Sequence, residues 1–164
     1  MAIEHETLEE TLVRLLKEKN MTVTTVESCT GGMLAARITN VSGASAVFHQ
    51  GFITYSNESK HKLLHVKQET LKNHGAVSAE TAAEMAKNGA SLTGSHLCIS
   101  ITGIAGPTGG SQEKPVGLVY MACCDHRRVI AKEFHFQGKR HEIREHCIMQ
   151  ALSLLQTCIL TDAG

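Results

Sequence analysis

Two neighbouring nucleophiles, Ser28 and Cys29, follow a β-branched run in the segment VESCTGG. A strand is expected to run up to Val26, and the pair Gly31 and Gly32 precedes a segment expected to be helical. A strand, a turn and a helix in this order leave backbone N–H groups without partners at the helix start. Those groups can bind a phosphate or stabilise an oxyanion. The alternative is structural, because serine and threonine often cap helices, and the spacing leaves both interpretations open.

A second candidate group lies in the segment YSNESK, which contains Tyr55 and Lys60. Lys60 can serve as a base if burial or a neighbouring cation lowers its pKa from the ~10.4 of model peptides. Tyr55 can then relay a proton or orient the lysine. The alternative is a solvated lysine at a helix start, preceded by a tyrosine at a strand end.

A glycine-rich segment, TGIAGPTGG over residues 102–110, is the third candidate. Backbone this permissive can wrap a ligand phosphate or sugar, whereas the alternative is a long turn. Ordering such a loop costs conformational entropy, which favours a binding role. Further along the chain, Arg140 and Arg144 lie one helical turn apart if a helix begins early enough, and they can then hold a phosphate or form surface ion pairs.

The pattern of apolar residues indicates which elements position these groups. Helices alternate with strands early in the chain and a hairpin follows late, which predicts an α/β fold. We expect a three-layer α/β/α domain over residues 1–164, with a mixed sheet of about five strands. Ligands in such sheets bind beyond the carboxyl ends of strands, where residues 27–32, 55–60 and 102–110 are expected to converge. The predicted helices cover residues 4–19, 33–38, 57–65, 68–75, 79–92 and 142–160, and the predicted strands cover 22–26, 47–55, 97–102, 116–124 and 129–136.

Composition restricts the classes of function. Sixteen basic and sixteen acidic residues cancel in a chain of 164 residues, so no overall charge favours nucleic acid or a membrane surface as partner. The six cysteines form no Cys-x-x-Cys pair, and the first 20 residues lack the pattern of a secretory signal. We therefore expect a cytoplasmic protein with reduced thiols. His61 and His65 have helical spacing but no accompanying carboxylates, so no metal site is predicted.

Four segments together resemble the CinA C-terminal domain family, also known as nicotinamide-nucleotide amidase. They are TVESCTGGMLAARITNVSGAS, GFITYSNESKHKLLHV, HGAVSAETAAEMA and SITGIAGPTGGSQEKPVGLVY. The resemblance runs from about Met21 to the C-terminal helix. It implies hydrolysis of the carboxamide of nicotinamide mononucleotide to nicotinate mononucleotide and ammonia, in pyridine-nucleotide salvage. It also implies that neither a metal nor another cofactor takes part.

The resemblance further implies a role for individual residues. Ser28 matches the nucleophile, Lys60 the base, and Tyr55 a supporting group in the proton path. A lysine base suits a serine, and the resemblance implies that Cys29 serves only in packing. The implied binding residues are Ser45 beside the site, the turn residues Thr30, Gly31 and Gly32, the loop residues Thr102, Gly103, Gly106, Gly109 and Gly110, and Arg140 for the phosphate.

Two other classes of function stay open at this point. A nucleotide-binding or regulatory module without chemistry would keep the glycine loop and use Ser28 as a cap. An interaction domain of a competence- or damage-inducible protein would need neither a binding loop nor a nucleophile. Lys60 and Tyr55 favour the enzyme, since a binding module has no need of a base. We expect a homodimer, because exposed sheet edges and apolar helix faces often need a partner.

Overall fold

A five-stranded mixed sheet forms the centre of the protein in the computed structural model, which describes residues 5–161. The strand order is β2-β1-β3-β4-β5. The strand β1 runs parallel to both β2 and β3, whereas β4 is antiparallel to β3 and to β5. The sequence prediction of an α/β fold with a mixed sheet is confirmed. The strands are β1 (Val23–Glu27), β2 (Phe48–Ile53), β3 (Leu97–Gly103), β4 (Leu118–Cys124) and β5 (Val129–His135).

Six α-helices cover the sheet, and their bounds agree closely with the periodicity of the sequence. The last helix begins at Arg140 rather than at residue 142, and the first begins at Leu8, so residues 5–7 are not helical, contrary to the prediction. A short 3-10 helix, Ala44–Ala46, falls in a stretch predicted to be irregular. The predicted helix start at residue 4 lies outside the described residues. The helices are α1 (Leu8–Glu18), α2 (Met33–Thr39), α3 (Asn57–Leu64), α4 (Gln68–His74), α5 (Ala79–Thr93) and α6 (Arg140–Thr161).

The helices form one layer on each face of the sheet. Apolar side chains of α1, α2 and α6, such as Leu12, Leu34 and Ile148, pack with Ile99 in the larger core. On the opposite face, residues of α3 and α5 pack against β1 and β3. All five residues of β1 are buried, as expected for a central strand covered on both faces. The three layers hold the carboxyl end of β1 rigidly.

Three of the six α-helices, α1, α3 and α5, begin with a side-chain cap. Ser78 accepts a hydrogen bond from the Thr81 amide at 3.2 Å, which confirms its predicted role at the start of α5. Ser56 caps α3 in the same way. The helix α2 differs, because its N-cap is Gly32, which has φ 101° and offers no side chain. Another residue must therefore satisfy the first amides of α2.

The carboxyl ends of three strands meet at one edge of the sheet. Glu27, the last residue of β1, pairs with Ile53 of β2 and with Ile101 of β3. The segments that follow these strands therefore converge, as predicted from the strand–loop pattern. Between residues 5 and 161, no helix is both long and apolar enough to cross a membrane. All six cysteines are free and buried.

Candidate functional site

A cavity of ≈ 250 Å³ opens at the edge where the three strands end. Its walls come from the turn after β1, the start of α3, the connection between α4 and α5, the glycine loop and the start of α6. No described residue that lines it carries a carboxylate. The walls do carry a lysine, an arginine, hydroxyl groups and a stretch of backbone without large side chains.

Ser28 and Lys60 meet at the bottom of this cavity. The Nζ atom of Lys60 lies 2.9 Å from the Oγ atom of Ser28 and 2.8 Å from the carbonyl oxygen of Thr54. Lys60 is 1% exposed and Ser28 is 8% exposed. The cap at Ser56 starts α3 so that Lys60, the fourth residue of the helix, points inward onto the sheet edge. The two residues that the sequence singled out as nucleophile and base are therefore in hydrogen-bond contact.

The surroundings of Lys60 favour its neutral form. Burial lowers the pKa of Lys60 to about 8, and the nearby Cys29 opposes this shift only weakly. A neutral amine can donate one N–H to the Thr54 carbonyl, which leaves its lone pair for the Ser28 hydroxyl. Lys60 can thus accept the proton of Ser28 in its neutral form, which predominates above about pH 8.

The turn after β1 leaves some backbone amides without partners. The Gly31 amide donates to the carbonyl of Ser28, and the Met33 amide donates to the carbonyl of Thr30, both at 3.0 Å. No backbone carbonyl among the described residues accepts a hydrogen bond from the amides of Cys29 and Thr30. Cys29 lines the cavity whereas Thr30 is fully buried, so only the Cys29 amide can face a bound ligand. An N–H group directly after a nucleophile is a typical donor for an oxyanion.

The start of α2 is occupied, contrary to the expectation that its amides can bind a phosphate. The Glu27 carboxylate accepts from the Leu34 amide at 2.9 Å and from the Ala35 amide at 3.1 Å. A carboxylate already neutralises this end of the helix dipole, so an anion gains little there. Sequence reasoning passed over Glu27, although an acid at the end of a buried strand was a usable signal.

Five of the predicted binding residues lie outside the cavity wall. The hydroxyl of Thr30 is buried and donates to Glu27 at 2.7 Å. Gly31 faces Arg144 and Gly32 faces Ile53. The other two are Ser45, which is exposed beyond the amino ends of β1 and β2, and Gly110, which packs against Val116. Ser45 thus lies at the amino ends of these strands, whereas Ser28 follows the carboxyl end of β1. This corrects the prediction that Ser45 lies beside the site.

Tyr55 lines the cavity, but its hydroxyl lies away from the base. It accepts a hydrogen bond from Nη2 of Arg140 at 3.0 Å, and its side chain is 62% exposed. The predicted hydrogen bond of Tyr55 within the proton path is therefore wrong for this structure, because the Thr54 carbonyl takes the position next to Lys60. Tyr55 and Arg140 instead form a polar pair at the cavity wall.

The two arginines of α6 have separate partners. Arg140 donates from Nη1 to the Gly106 carbonyl at 2.8 Å and so contacts the glycine loop. Arg144 donates from Nε to the Cys29 carbonyl at 3.0 Å and from Nη2 to the Thr30 carbonyl at 3.1 Å. Only Arg140 lines the cavity. The prediction that both can hold one phosphate is corrected, since Arg144 binds the backbone of the Ser28 turn.

The glycine loop forms one side of the cavity. Thr102, Gly103, Gly106 and Gly109 all line it. The hydroxyl of Thr102 donates to the Ala76 carbonyl at 2.8 Å and fixes the opposite wall. A Cβ atom on Gly103 would lie 2.6 Å from Cγ2 of Val119 and 2.9 Å from the carbonyl oxygen of Leu118. Gly103 therefore permits a backbone approach that no other residue type allows.

The side chain of Cys29 belongs to the protein core. It lies in the core formed by α1, α2 and α6, which also contains Cys147. The neighbouring thiol of Cys147 is the main reason that the pKa of Cys29 is lowered. Nζ of Lys60 nevertheless bonds Oγ of Ser28 rather than Sγ of Cys29. Within residues 5–161, no group of three or more His, Cys, Asp and Glu side chains is arranged to hold a metal ion.

Sequence comparison relates nearly the whole chain to one family. The sequence model of the CinA C-terminal domain matches residues 5–159. A putative competence-damage inducible protein of Clostridium novyi is 53% identical over 150 residues, which cover 92% of this chain and 36% of the relative. A CinA-like protein of Kosmotoga olearia is 50% identical over 155 residues, covering 94% of this chain and 38% of the relative. The chain thus spans less than half the length of these relatives.

Solved structures have the same fold over most of both chains. The competence/damage inducible protein CihA of Agrobacterium tumefaciens superimposes with a TM-score of 0.90 at 40% identity, covering 93% of each chain. A CinA superfamily protein of Klebsiella pneumoniae gives a TM-score of 0.91 at 32% identity, covering 94% of this chain and 96% of the other. By sequence and by fold, the chain belongs to the CinA C-terminal domain family.

Proposed function

We propose that this domain hydrolyses the carboxamide of nicotinamide mononucleotide to nicotinate mononucleotide and ammonia, a reaction of pyridine-nucleotide salvage. The observation that carries the proposal is the 2.9 Å contact between Nζ of buried Lys60 and Oγ of Ser28. A lysine whose pKa is lowered to about 8 is matched to deprotonating a serine. The relatives' names, which mention competence and damage, do not specify a reaction.

The proposed reaction proceeds in two stages. Ser28 Oγ attacks the carboxamide carbon as its proton passes to Lys60 Nζ, and the carbonyl oxygen becomes an oxyanion facing the amide of Cys29. Lys60 then gives the proton to the amide nitrogen, the C–N bond breaks and ammonia leaves. A water molecule attacks the resulting ester while Lys60 accepts its proton. The ester bond breaks as Lys60 returns this proton to Ser28 Oγ, which releases the acid and restores Ser28 and neutral Lys60.

The cavity wall also suits the rest of the proposed substrate. The backbone of the glycine loop lines the cavity at Gly106 and Gly109, and Arg140, which bonds the Gly106 carbonyl, supplies a cation beside it. A phosphate is recognised by such a combination of cation and backbone amides. Because no described lining residue carries a carboxylate, nothing in the wall repels an anionic substrate.

The test is ammonia release from nicotinamide mononucleotide by the wild type and by variants of the pair. Ser28→Ala and Lys60→Ala are expected to lose at least ~10³-fold in kcat/KM, the scale on which loss of a nucleophile or its base acts. Lys62→Ala is the matched control, since Lys62 is an exposed lysine of the same helix. Release of ammonia by Ser28→Ala at the wild-type rate would refute the serine mechanism.

The same measurements separate the enzyme from the non-catalytic alternative. A regulatory or nucleotide-binding module would bind nicotinamide mononucleotide without releasing ammonia, and Ser28→Ala would then leave binding intact. Self-association stays a prediction: light scattering that gives twice the mass of the chain would support the expected homodimer, and the mass of one chain would contradict it.

A further inference from the structure

The proposed reaction uses Ser28 and Lys60 but leaves a buried carboxylate beside them without a role. Glu27 precedes the nucleophile and is 1% exposed. Its carboxylate accepts three hydrogen bonds, from the hydroxyl of Thr30 and from the amides of Leu34 and Ala35. Because both oxygens are engaged and Glu27 does not line the cavity, it is not a proton donor or acceptor for a substrate.

The three bonds of Glu27 connect the two ends of the turn. Glu27 belongs to β1, Thr30 lies in the turn, and Leu34 and Ala35 belong to α2. Hydrogen bonds to an ionised acceptor are about twice as strong as neutral ones. The carboxylate therefore fixes where α2 starts relative to β1, and with it the course of residues 28–32.

Arg144 holds the same turn from the side of α6. Its guanidinium binds the carbonyl oxygens of Cys29 and Thr30 at 3.0 Å and 3.1 Å. In a planar trans peptide the N–H and C=O groups point in opposite directions. The peptide that joins Cys29 to Thr30 therefore directs the free N–H of Thr30 away from Arg144, and the guanidinium fixes that direction.

The Cys29 amide is oriented in a similar way. It shares a peptide with the Ser28 carbonyl, which accepts the Gly31 amide at 3.0 Å. Gly31 in turn follows the Thr30 carbonyl that Arg144 binds. The orientation of both free amides thus depends on contacts made by Glu27 and Arg144.

We infer that Glu27 and Arg144 are positioning residues, which together hold the turn of residues 28–32 so that the free amide of Cys29 lies where an oxyanion forms next to Ser28. The inference depends on the proposed attack by Ser28. Neither Glu27 nor Arg144 lines the cavity, so neither contributes to binding the substrate in its ground state. Their proposed role is therefore to stabilise the transition state. Loss of either contact therefore lowers kcat and leaves KM nearly unchanged.

The experiment measures how fast Ser28 reacts with a fluorophosphonate ester. In this reaction the Oγ–phosphorus bond forms, fluoride leaves, the proton of Ser28 passes to Lys60, and the phosphoryl oxygen occupies the oxyanion position. Glu27→Gln and Arg144→Lys are expected to slow labelling on the order of 10²-fold, the effect of disturbing one oxyanion donor. Both are also expected to lower kcat for nicotinamide mononucleotide with a change in KM below about threefold. Labelling at the wild-type rate in both variants would overturn the inference.

Two further variants keep the test decisive. Thr30→Val removes one bond to Glu27 without removing a charge, so a slowed labelling rate is expected even if Glu27→Gln does not fold. Glu10→Gln is the matched control, because Glu10 also caps a helix, α1, far from the cavity. If Glu10→Gln slows labelling as much as Glu27→Gln does, a general effect on stability explains the loss and the inference fails.

The probe separates this inference from the proposed substrate. A wild type that is labelled at Ser28 but releases no ammonia from nicotinamide mononucleotide would refute the proposed substrate, while the variants would still decide the role of Glu27 and Arg144. A wild type that the probe does not label at Ser28 would overturn both proposals.

Discussion

The Nζ atom of Lys60 lies 2.9 Å from the Oγ atom of Ser28, and Lys60 has no carboxylate within hydrogen-bond reach among the described residues. Buried lysines usually have a counter-ion, because an isolated charge is costly to desolvate. Here the lysine bonds a hydroxyl and a carbonyl oxygen, both neutral. The protonation state of Lys60 is therefore expected to affect both the proposed reactivity of Ser28 and the stability of the fold.

The first prediction concerns the pH dependence of kcat/KM. The proposed base must be neutral, and the pKa of Lys60 is lowered to about 8. Activity is expected to rise about tenfold per pH unit below pH 8 and to level off above it. A profile of ammonia release between pH 6 and about 10 measures the midpoint. A midpoint near the ~10.4 of an ordinary lysine would contradict the burial argument.

The second prediction concerns stability. The pKa of Lys60 is lower in the folded than in the unfolded state, so protonation favours unfolding below pH 8, and this effect disappears as the pH rises towards ~10.4. Lys60→Met is therefore expected to raise the free energy of unfolding at pH 7 on the order of 2 kcal/mol, while it abolishes activity.

Urea denaturation at pH 7 and pH 10 measures this effect, with Lys62→Met as the exposed control on the same helix. The gain from Lys60→Met is expected to shrink at the higher pH, and the control is expected to show no gain. A Lys60→Met protein that is less stable than the wild type at both pH values would show that the bonds to Ser28 and Thr54 outweigh the burial of the charge.

The third prediction concerns recognition of the phosphate by Arg140. Arg140→Ala is expected to raise KM for nicotinamide mononucleotide roughly tenfold or more, because it removes the cation beside the glycine loop. For nicotinamide riboside, which lacks the phosphate, kcat/KM is expected to stay nearly unchanged. Arg37→Ala, at a surface ion pair with Glu145, is the control. Equal losses for both substrates would show that Arg140 does not bind the phosphate.

The fourth prediction separates the two roles proposed for Tyr55. The hydroxyl of Tyr55 bonds Arg140 and not Lys60. Tyr55→Phe is therefore expected to change KM by a few-fold and to leave the rate of fluorophosphonate labelling within about threefold of the wild type. A loss of ~10²-fold in the labelling rate would show that Tyr55 takes part in the proton transfer from Ser28 to Lys60.

The fifth prediction decides between the two neighbouring nucleophiles. Cys29→Ala keeps the backbone N–H but removes a buried thiol that contacts Cys147. Activity is expected to stay within about threefold, while the free energy of unfolding falls by about 1 kcal/mol. Loss of activity in Cys29→Ala with full activity in Ser28→Ala would assign the chemistry to the thiol.

The parts of the site that follow from local sequence were predictable. Alternation and apolar periodicity located the strands and helices, and the order of those elements placed residues 28, 60 and 102–110 at one edge of the sheet. The resemblance named Ser28 and Lys60 as a pair, and the structure brings these two residues into contact.

The parts that depend on long-range contacts were not predictable. The bond between Tyr55 and Arg140 joins residues 85 positions apart, and sequence spacing gives no information on such a pair. The occupied start of α2 was missed for a different reason. A strand-end acid and a helix start are ordinary features separately, and only the geometry shows that Glu27 reaches the amides of Leu34 and Ala35.

The contacts of Arg144 also set the order in which the site can mature during synthesis. They join residues 114 and 115 positions apart, so the segment that carries Ser28 leaves the ribosome long before its partner helix does. At about 5–20 residues per second, several seconds separate the two. A nascent chain therefore carries the Ser28 turn together with its local contacts to Glu27, but without the contacts to Arg144. With the role proposed for Arg144, the Ser28 turn is fully positioned only when the last helix docks, and shortening α6 from its amino end is expected to lower activity while leaving Ser28 and Lys60 in the chain.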